Sequence, residues 1–130
     1  MRVRLKFITW FVVLGLSGCG SQDPALVGRW KGERSATPEC RYVTWTRVMA
    51  ADGRFGETFY EDAARSKLIT KRGGYWLTRK NLVLFDAIGE EKYNTYHYQF
   101  VDADTVYYKS ITPDTGCSLA VYTLHRVSGK

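Results

Sequence analysis

The sequence predicts an all-β protein: a single antiparallel up-and-down meander of about eight strands, closing into a small barrel after an N-terminal signal peptide. Three observations lead there. From Gly28 onward valine, threonine, tyrosine, tryptophan and phenylalanine recur in short runs, and these residue types suit a pleated, half-buried surface. Turn signals separate the runs at short intervals, which makes successive strands neighbours. An open meander would leave two unpaired edges, and rolling into a barrel removes them.

Strands are expected near 28–35, 40–50, 54–61, 66–78, 81–88, 93–101, 105–111 and 117–126. Ala51-Asp52-Gly53-Arg54 is the strongest hairpin signal, because Asp-Gly accepts the positive φ angles of tight turns. Arg79-Lys80-Asn81 and Asp102-Ala103-Asp104 are weaker signals of the same kind. Thr112-Pro113-Asp114-Thr115-Gly116 reads as a loop, since its proline and glycine break a strand. Asp62-Ala63-Ala64-Arg65 has the composition for one helical turn. The clearest alternation is Asn94-Thr95-Tyr96-His97-Tyr98-Gln99-Phe100, which puts Tyr96, Tyr98 and Phe100 on one face as a wall of an aromatic interior. Phe55 and Phe59 share their face with Glu57, opposite Thr58 and Tyr60, and this leaves the inward face of that strand open.

The first residues carry a targeting signal. Arg2, Arg4 and Lys6 precede the uncharged run Phe7–Leu16, the basic and apolar regions of a secretory leader. At roughly ten residues the run is too short to span ~30 Å of hydrocarbon, which takes about twenty. The following Leu16-Ser17-Gly18-Cys19 resembles the bacterial lipobox. That resemblance implies cleavage before Cys19, a diacylglyceryl group on its thiol and a further palmitate-type chain on the new amino terminus. Two or more chains anchor a protein stably where one does not. Gly20, in place of aspartate, implies the outer membrane facing the periplasm if the cell is Gram-negative. The chain then divides into a signal peptide (1–18), a lipidated tether (19–27) and a barrel domain (28–130). Fully extended, residues 20–27 reach at most about 26–29 Å, so the domain is expected close to the bilayer.

Removal of residues 1–18 leaves 112, enough for one domain with its own core. The net charge of +6 includes Arg2, Arg4 and Lys6, which leaves about +3 on the mature chain. No clustered basic stripe appears, so no nucleic-acid partner is expected. Lys71-Arg72 and Arg79-Lys80 read as solvated charge at turns. Besides Cys19 the chain has Cys40 and Cys117. An even pair in an oxidising compartment is most simply a disulfide, with two free thiols as the alternative. Both cysteines open strands that flank the first strand after closure. A spacing of ~9.6 Å between next-but-one strands exceeds the ~7 Å limit for a bridge, so the connecting loops would have to fold over the rim.

Val27-Gly28-Arg29-Trp30-Lys31-Gly32 resembles the opening Gly-x-Trp strand of lipocalins and of small lipocalin-like lipoproteins. Asp52-Gly53-Arg54-Phe55, Gly73-Gly74-Tyr75-Trp76, a tyrosine-rich strand and Thr123-Leu124-His125-Arg126 follow in the family's order. The resemblance implies that Trp30 closes one end of the barrel beneath a stacked Arg126, a contact with a cation–π basis.

The sequence contains no Gly-x-Ser-x-Gly, phosphate loop or metal-ligand spacing, so neither catalysis nor a cofactor is expected. His97 and His125 lack spaced partners and read as structural or surface residues. Glu57 and Glu61 lie ~13 Å apart along a strand, too far for a glycosidase pair, and Glu90-Glu91 reads as solvated. The expected partners are the membrane, through the lipid, and either a small apolar ligand inside the barrel or another envelope protein outside it. Tyr96, Tyr98 and Phe100, with Trp45 and Tyr122, are the candidate ligand-binding residues. The same aromatics could equally fill the core, because eight-stranded barrels can pack solid.

Overall fold

The computed structural model describes residues 21–34, 38, 40–111 and 120–127. Eight strands follow the chain around a closed antiparallel ring: β1 (Gly28–Glu33), β2 (Thr44–Met49), β3 (Arg54–Tyr60), β4 (Leu68–Arg79), β5 (Leu82–Ala87), β6 (Asn94–Asp102), β7 (Thr105–Ser110) and β8 (Val121–Arg126). Each pairs with its sequence neighbour, and β8 returns to β1. The predicted meander and its closure are both present. Because the eight strands pair among themselves, the ring closes without the leader. Cys19, Cys117 and the leader lie outside the described residues.

Turn chemistry explains the tight links. Lys80 and Asn81 both have positive φ (50° and 69°), and Arg79 faces Leu82 across them. That is the two-residue hairpin whose twist matches the strands. Asp62–Arg65 makes a turn and not a helical one. The Asp62 carboxylate accepts the backbone N–H groups of Ser66 and Lys67, at 3.0 and 2.9 Å, and these bonds compete with a helical path. Strand β2 starts later than expected, at Thr44, so Cys40 lies in the β1–β2 connection, buried at 1% exposure.

One end of the barrel is plugged, and here the expected tether needs correcting. Residues 21–27 are docked on the barrel. Ser21 and Thr78 exchange backbone hydrogen bonds, and Gln22 Nε2 donates to the Trp76 carbonyl at 2.9 Å. Pro24–Leu26 forms a 3-10 turn whose first amide is capped by Asp23. Leu26 drives the docking: an apolar side chain gains about 1.5–3 kcal/mol by leaving water, and this one is fully buried.

Trp30 lies beneath that plug with no exposure, its Nε1 donating to the Leu26 carbonyl at 2.9 Å. The Arg126 guanidinium stands 4.3 Å from the centre of the Trp30 ring, the contact implied by the lipocalin resemblance. The same guanidinium donates to the carbonyls of Ala25, Val27 and Ala103 and pairs with Asp104 at 3.1 Å. Strands β1 and β8 pair only through Trp30 with Arg126 and Lys31 with His125, so this contact also holds the seam of the ring. Gly28 has φ 140°, and a Cβ there would come within 2.8 Å of Arg126 Nη1. The glycine of Gly-x-Trp therefore leaves room for the arginine.

Replacing Arg126 with alanine is expected to cost about 1–3 kcal/mol, from the lost stacking and charge-assisted hydrogen bonds. Arg126→Lys should recover little of it, since an ammonium cannot present the guanidinium fork. Urea titration of the three proteins checks this, and parental stability in Arg126→Lys would contradict it.

Candidate functional site

The interior divides into two zones. Near the plug, Trp30, Met49, Trp76, Val83, Val106 and Leu124 are buried and fill the barrel. Toward the open end lies a cavity of about 440 Å³, its wall formed by Tyr42, Trp45, Phe59, Tyr96 and Tyr122. Gly32 helps to shape this zone. A Cβ there would come within 2.6 Å of the Trp45 indole and 2.7 Å of Leu124, so the indole rests directly on bare backbone.

The cavity also carries charge. Cross-strand register aligns Arg47 of β2 with Glu57 of β3, and Glu57 with Arg72 of β4. All three belong to the inward set, and Arg47 and Glu57 are each only 4% exposed. Glu57 accepts from Arg47 Nε through Oε2 and from Arg72 Nε through Oε1, both at 2.7 Å. Arg47 Nη2 donates to the Tyr122 hydroxyl at 2.8 Å, while its Nη1 is buried with no hydrogen-bond partner. The guanidinium is boxed by Phe85, Tyr108 and Tyr122, whose ring centres lie 4.6–5.3 Å away. Arg72 Nη1 reaches outward to Glu90 Oε2 at 2.7 Å, and Asn94 donates to the other Glu90 oxygen.

Burial opposes the Glu57 charge, but Arg47 and Arg72 outweigh it and hold the carboxyl below its ordinary value. Burial likewise opposes the charge on Arg47, and Tyr122 and Glu57 more than offset it. Burial pushes the phenols of Tyr96, Tyr108 and Tyr122 up, so they surround the guanidinium as neutral groups.

The five expected wall residues do not meet at one place. Trp45, Tyr96 and Tyr122 line the cavity. Tyr98 and Phe100 pack lower, against the closed-end core, and the Tyr98 hydroxyl donates to Asp23 of the plug at 2.6 Å. Alternation read their shared face correctly but not their depth. Four residues advance a strand by ~13 Å, so Tyr96 and Phe100 stand at different levels of the barrel.

The charged row went unrecognised in the sequence. Lys71-Arg72 had read as a solvated turn pair, but β4 runs straight through it and turns Arg72 inward. Glu90 is exposed, as expected, and its carboxylate also holds Arg72. A usable signal did exist: Arg47 and Glu57 lie equally far on either side of Asp52, so a hairpin centred there must face them. His97 and His125 are exposed, as expected. Among the described residues, no group of three or more His, Cys, Asp or Glu could hold a metal ion.

Neither the family models nor the curated proteins give a match to this chain.

The depressed Glu57 pKa makes stability depend on acid. Its contribution is fully present above the unfolded value of ~4.3 and is lost as pH falls through the lower folded value. Thermal unfolding between pH 7 and pH 2 should therefore show an acid decline that Glu57→Gln flattens. The part due to Asp62, whose carboxyl is also held low, chiefly by its Ser66 hydrogen bond, should persist in the variant. Parallel acid limbs in the two proteins would remove Glu57 from the explanation.

Proposed function

We propose that this chain is a lipid-anchored protein of the bacterial cell envelope, with a non-catalytic, lipocalin-like barrel that binds a small, largely apolar ligand at its open end. The observation that carries the ligand reading is the cavity of about 440 Å³ walled by five aromatic side chains at the open end of the barrel. That volume falls within the ~300–1,000 Å³ typical of small-molecule sites. The lipocalin-like reading is supported by the closed eight-strand ring with Arg126 stacked over Trp30.

Anchoring rests on the lipobox-like Leu16–Cys19 and its leader. It also has a geometric consequence. Ser21 is docked beside Thr78 at the plugged end, and two residues of chain span at most about 7 Å. A lipid on Cys19 would hold the plugged end at the bilayer and turn the cavity mouth away from it. The ligand would then arrive from the aqueous side. The Cys40–Cys117 disulfide belongs to the same proposal. Cys40 is buried at the open end, where the β7–β8 connection carrying Cys117 also departs and returns.

A second reading, docking of another envelope protein, draws on exposed apolar side chains toward the open end. Leu68, Ile88, Tyr93 and Ile111 are 48–75% exposed there, and it is as a contiguous patch that such residues would mark a partner contact.

Two measurements test these readings. Intact mass of the membrane-extracted protein should match a chain beginning at Cys19 plus three acyl chains, with no alkylation of Cys40 or Cys117 before reduction. Cys19→Ala should abolish both the processing and the membrane partitioning, and an unaltered variant would end the anchoring proposal. Native mass spectrometry of the protein released from its own membrane should retain a small ligand, and a lipid panel should shift tryptophan fluorescence through Trp45. If nothing is retained and no shift appears, the cavity reading gives way to docking.

A further inference from the structure

The ligand cavity is apolar around its wall but carries an excess of positive charge. Arg41, Arg47 and Arg72 line it against one lining carboxylate, Glu57. Both oxygens of Glu57 are already committed, one to each of the two inner arginines. One buried carboxylate shared by two guanidinium groups leaves Arg72 to find its second partner outside, in Glu90, as Arg41 does in Glu61, and the aromatic surroundings screen these charges less than water would. Arg47 shows the shortfall directly: its side chain is 5% exposed and its Nη1 has no hydrogen-bond partner.

Arg72 is where that surplus meets solvent. Its inner nitrogen is held by Glu57, and a third of its side chain is exposed. Its outer nitrogen is satisfied by Glu90 from the β5–β6 connection, itself 38% exposed on the side chain. An exposed carboxylate on a flexible stem therefore occupies an arginine position at the mouth that also reaches Glu57, unlike Arg41, which is 70% exposed and pairs outward with Glu61 at 3.8 Å. We propose that the cavity takes a small amphipathic anion, with its carboxylate seated on Arg72 in place of Glu90 and its apolar body against Trp45, Phe59, Tyr96 and Tyr122. This deepens the ligand reading above and rests on it. Arg47 acts from beneath as a fixed positive charge, and Glu57 keeps both guanidinium groups oriented. A wholly neutral ligand would leave Glu90 on Arg72 and make no use of the guanidinium. A bare anion would leave the aromatic wall empty.

The test uses the chain from Gly20 onward, whose strands close without the leader, and follows Trp45 fluorescence at low ionic strength. Decanoate is expected to bind at least tenfold more tightly than decan-1-ol, and acetate not measurably. Arg72→Gln should erase the preference for decanoate over decan-1-ol. Glu90→Gln, on an exposed connection, should strengthen decanoate binding severalfold by removing the competing carboxylate. Equal affinities for decanoate and decan-1-ol would overturn the anion proposal and leave the apolar cavity standing. Acetate binding as tight as decanoate would show a bare anion site and overturn it as well. Unchanged or weaker decanoate binding in Glu90→Gln would do the same, even if Arg72→Gln failed to fold. If neither decanoate nor decan-1-ol bound, this proposal and the ligand reading would fall together.

Discussion

The ring is joined where β1 meets β8, and that seam is only two residue pairs long. Arg126 makes it hold. Its guanidinium stands over the Trp30 ring and reaches three backbone carbonyls and Asp104, so one group ties the plug, the seam and the β6–β7 turn together. Much else follows from this contact. The plug needs Leu26 buried over Trp30, Gly28 must stay without a side chain, and Ser21–Asp23 are drawn onto the barrel floor. A short seam held by side chains also frees the remaining interior from filling the barrel throughout.

The upper interior is organised by a second constraint. Three charged side chains stand in one row across β2, β3 and β4, and two of them are almost wholly buried. Charges removed from water must be paired and hydrogen-bonded, and losing one partner of a buried pair typically costs about 3–5 kcal/mol. The row therefore pins the β2–β3–β4 register as firmly as any apolar contact. It also keeps this level of the barrel from collapsing into a uniform hydrocarbon core. The aromatic rings around Arg47 accommodate the guanidinium by their faces, and the space above the row remains as the cavity. An apolar wall over a cationic floor is a more selective surface than either would be alone.

The two ends consequently have different characters. The plugged end is bonded, capped and filled, and the chain leading to Cys19 emerges beside it. The open end carries the cavity, the buried Cys40 and several exposed apolar side chains. Under the proposed lipidation of Cys19, the anchor and the cavity mouth would lie at opposite ends of the barrel.

Local patterning carried the architecture. Short β-rich runs, the Asp52-Gly53 turn and the Lys80-Asn81 hairpin dictate an up-and-down meander, because each is a nearest-neighbour preference of the backbone. The Trp30–Arg126 contact was legible only through the family resemblance, as its partners lie 96 positions apart. The charged row was harder to see. Alternation puts Glu57 with Phe55 and Phe59, but a charge among apolar residues looks equally like an outward face or a paired interior one. Arg72 resembled surface charge, although the expected strand over 66–78 ran through it, because pairing with Glu57 depends on the β3–β4 register. Depth was invisible as well: Tyr96 and Phe100 share a face, yet only the tilt and stagger of closed strands assign one to the cavity and the other to the floor. By itself the sequence determined which segments extend, where they turn and which side chains share a face, since those are short-range matters. Only the tertiary structure decided which face turns inward and which charges meet, because both depend on register between strands and on the closing of the ring.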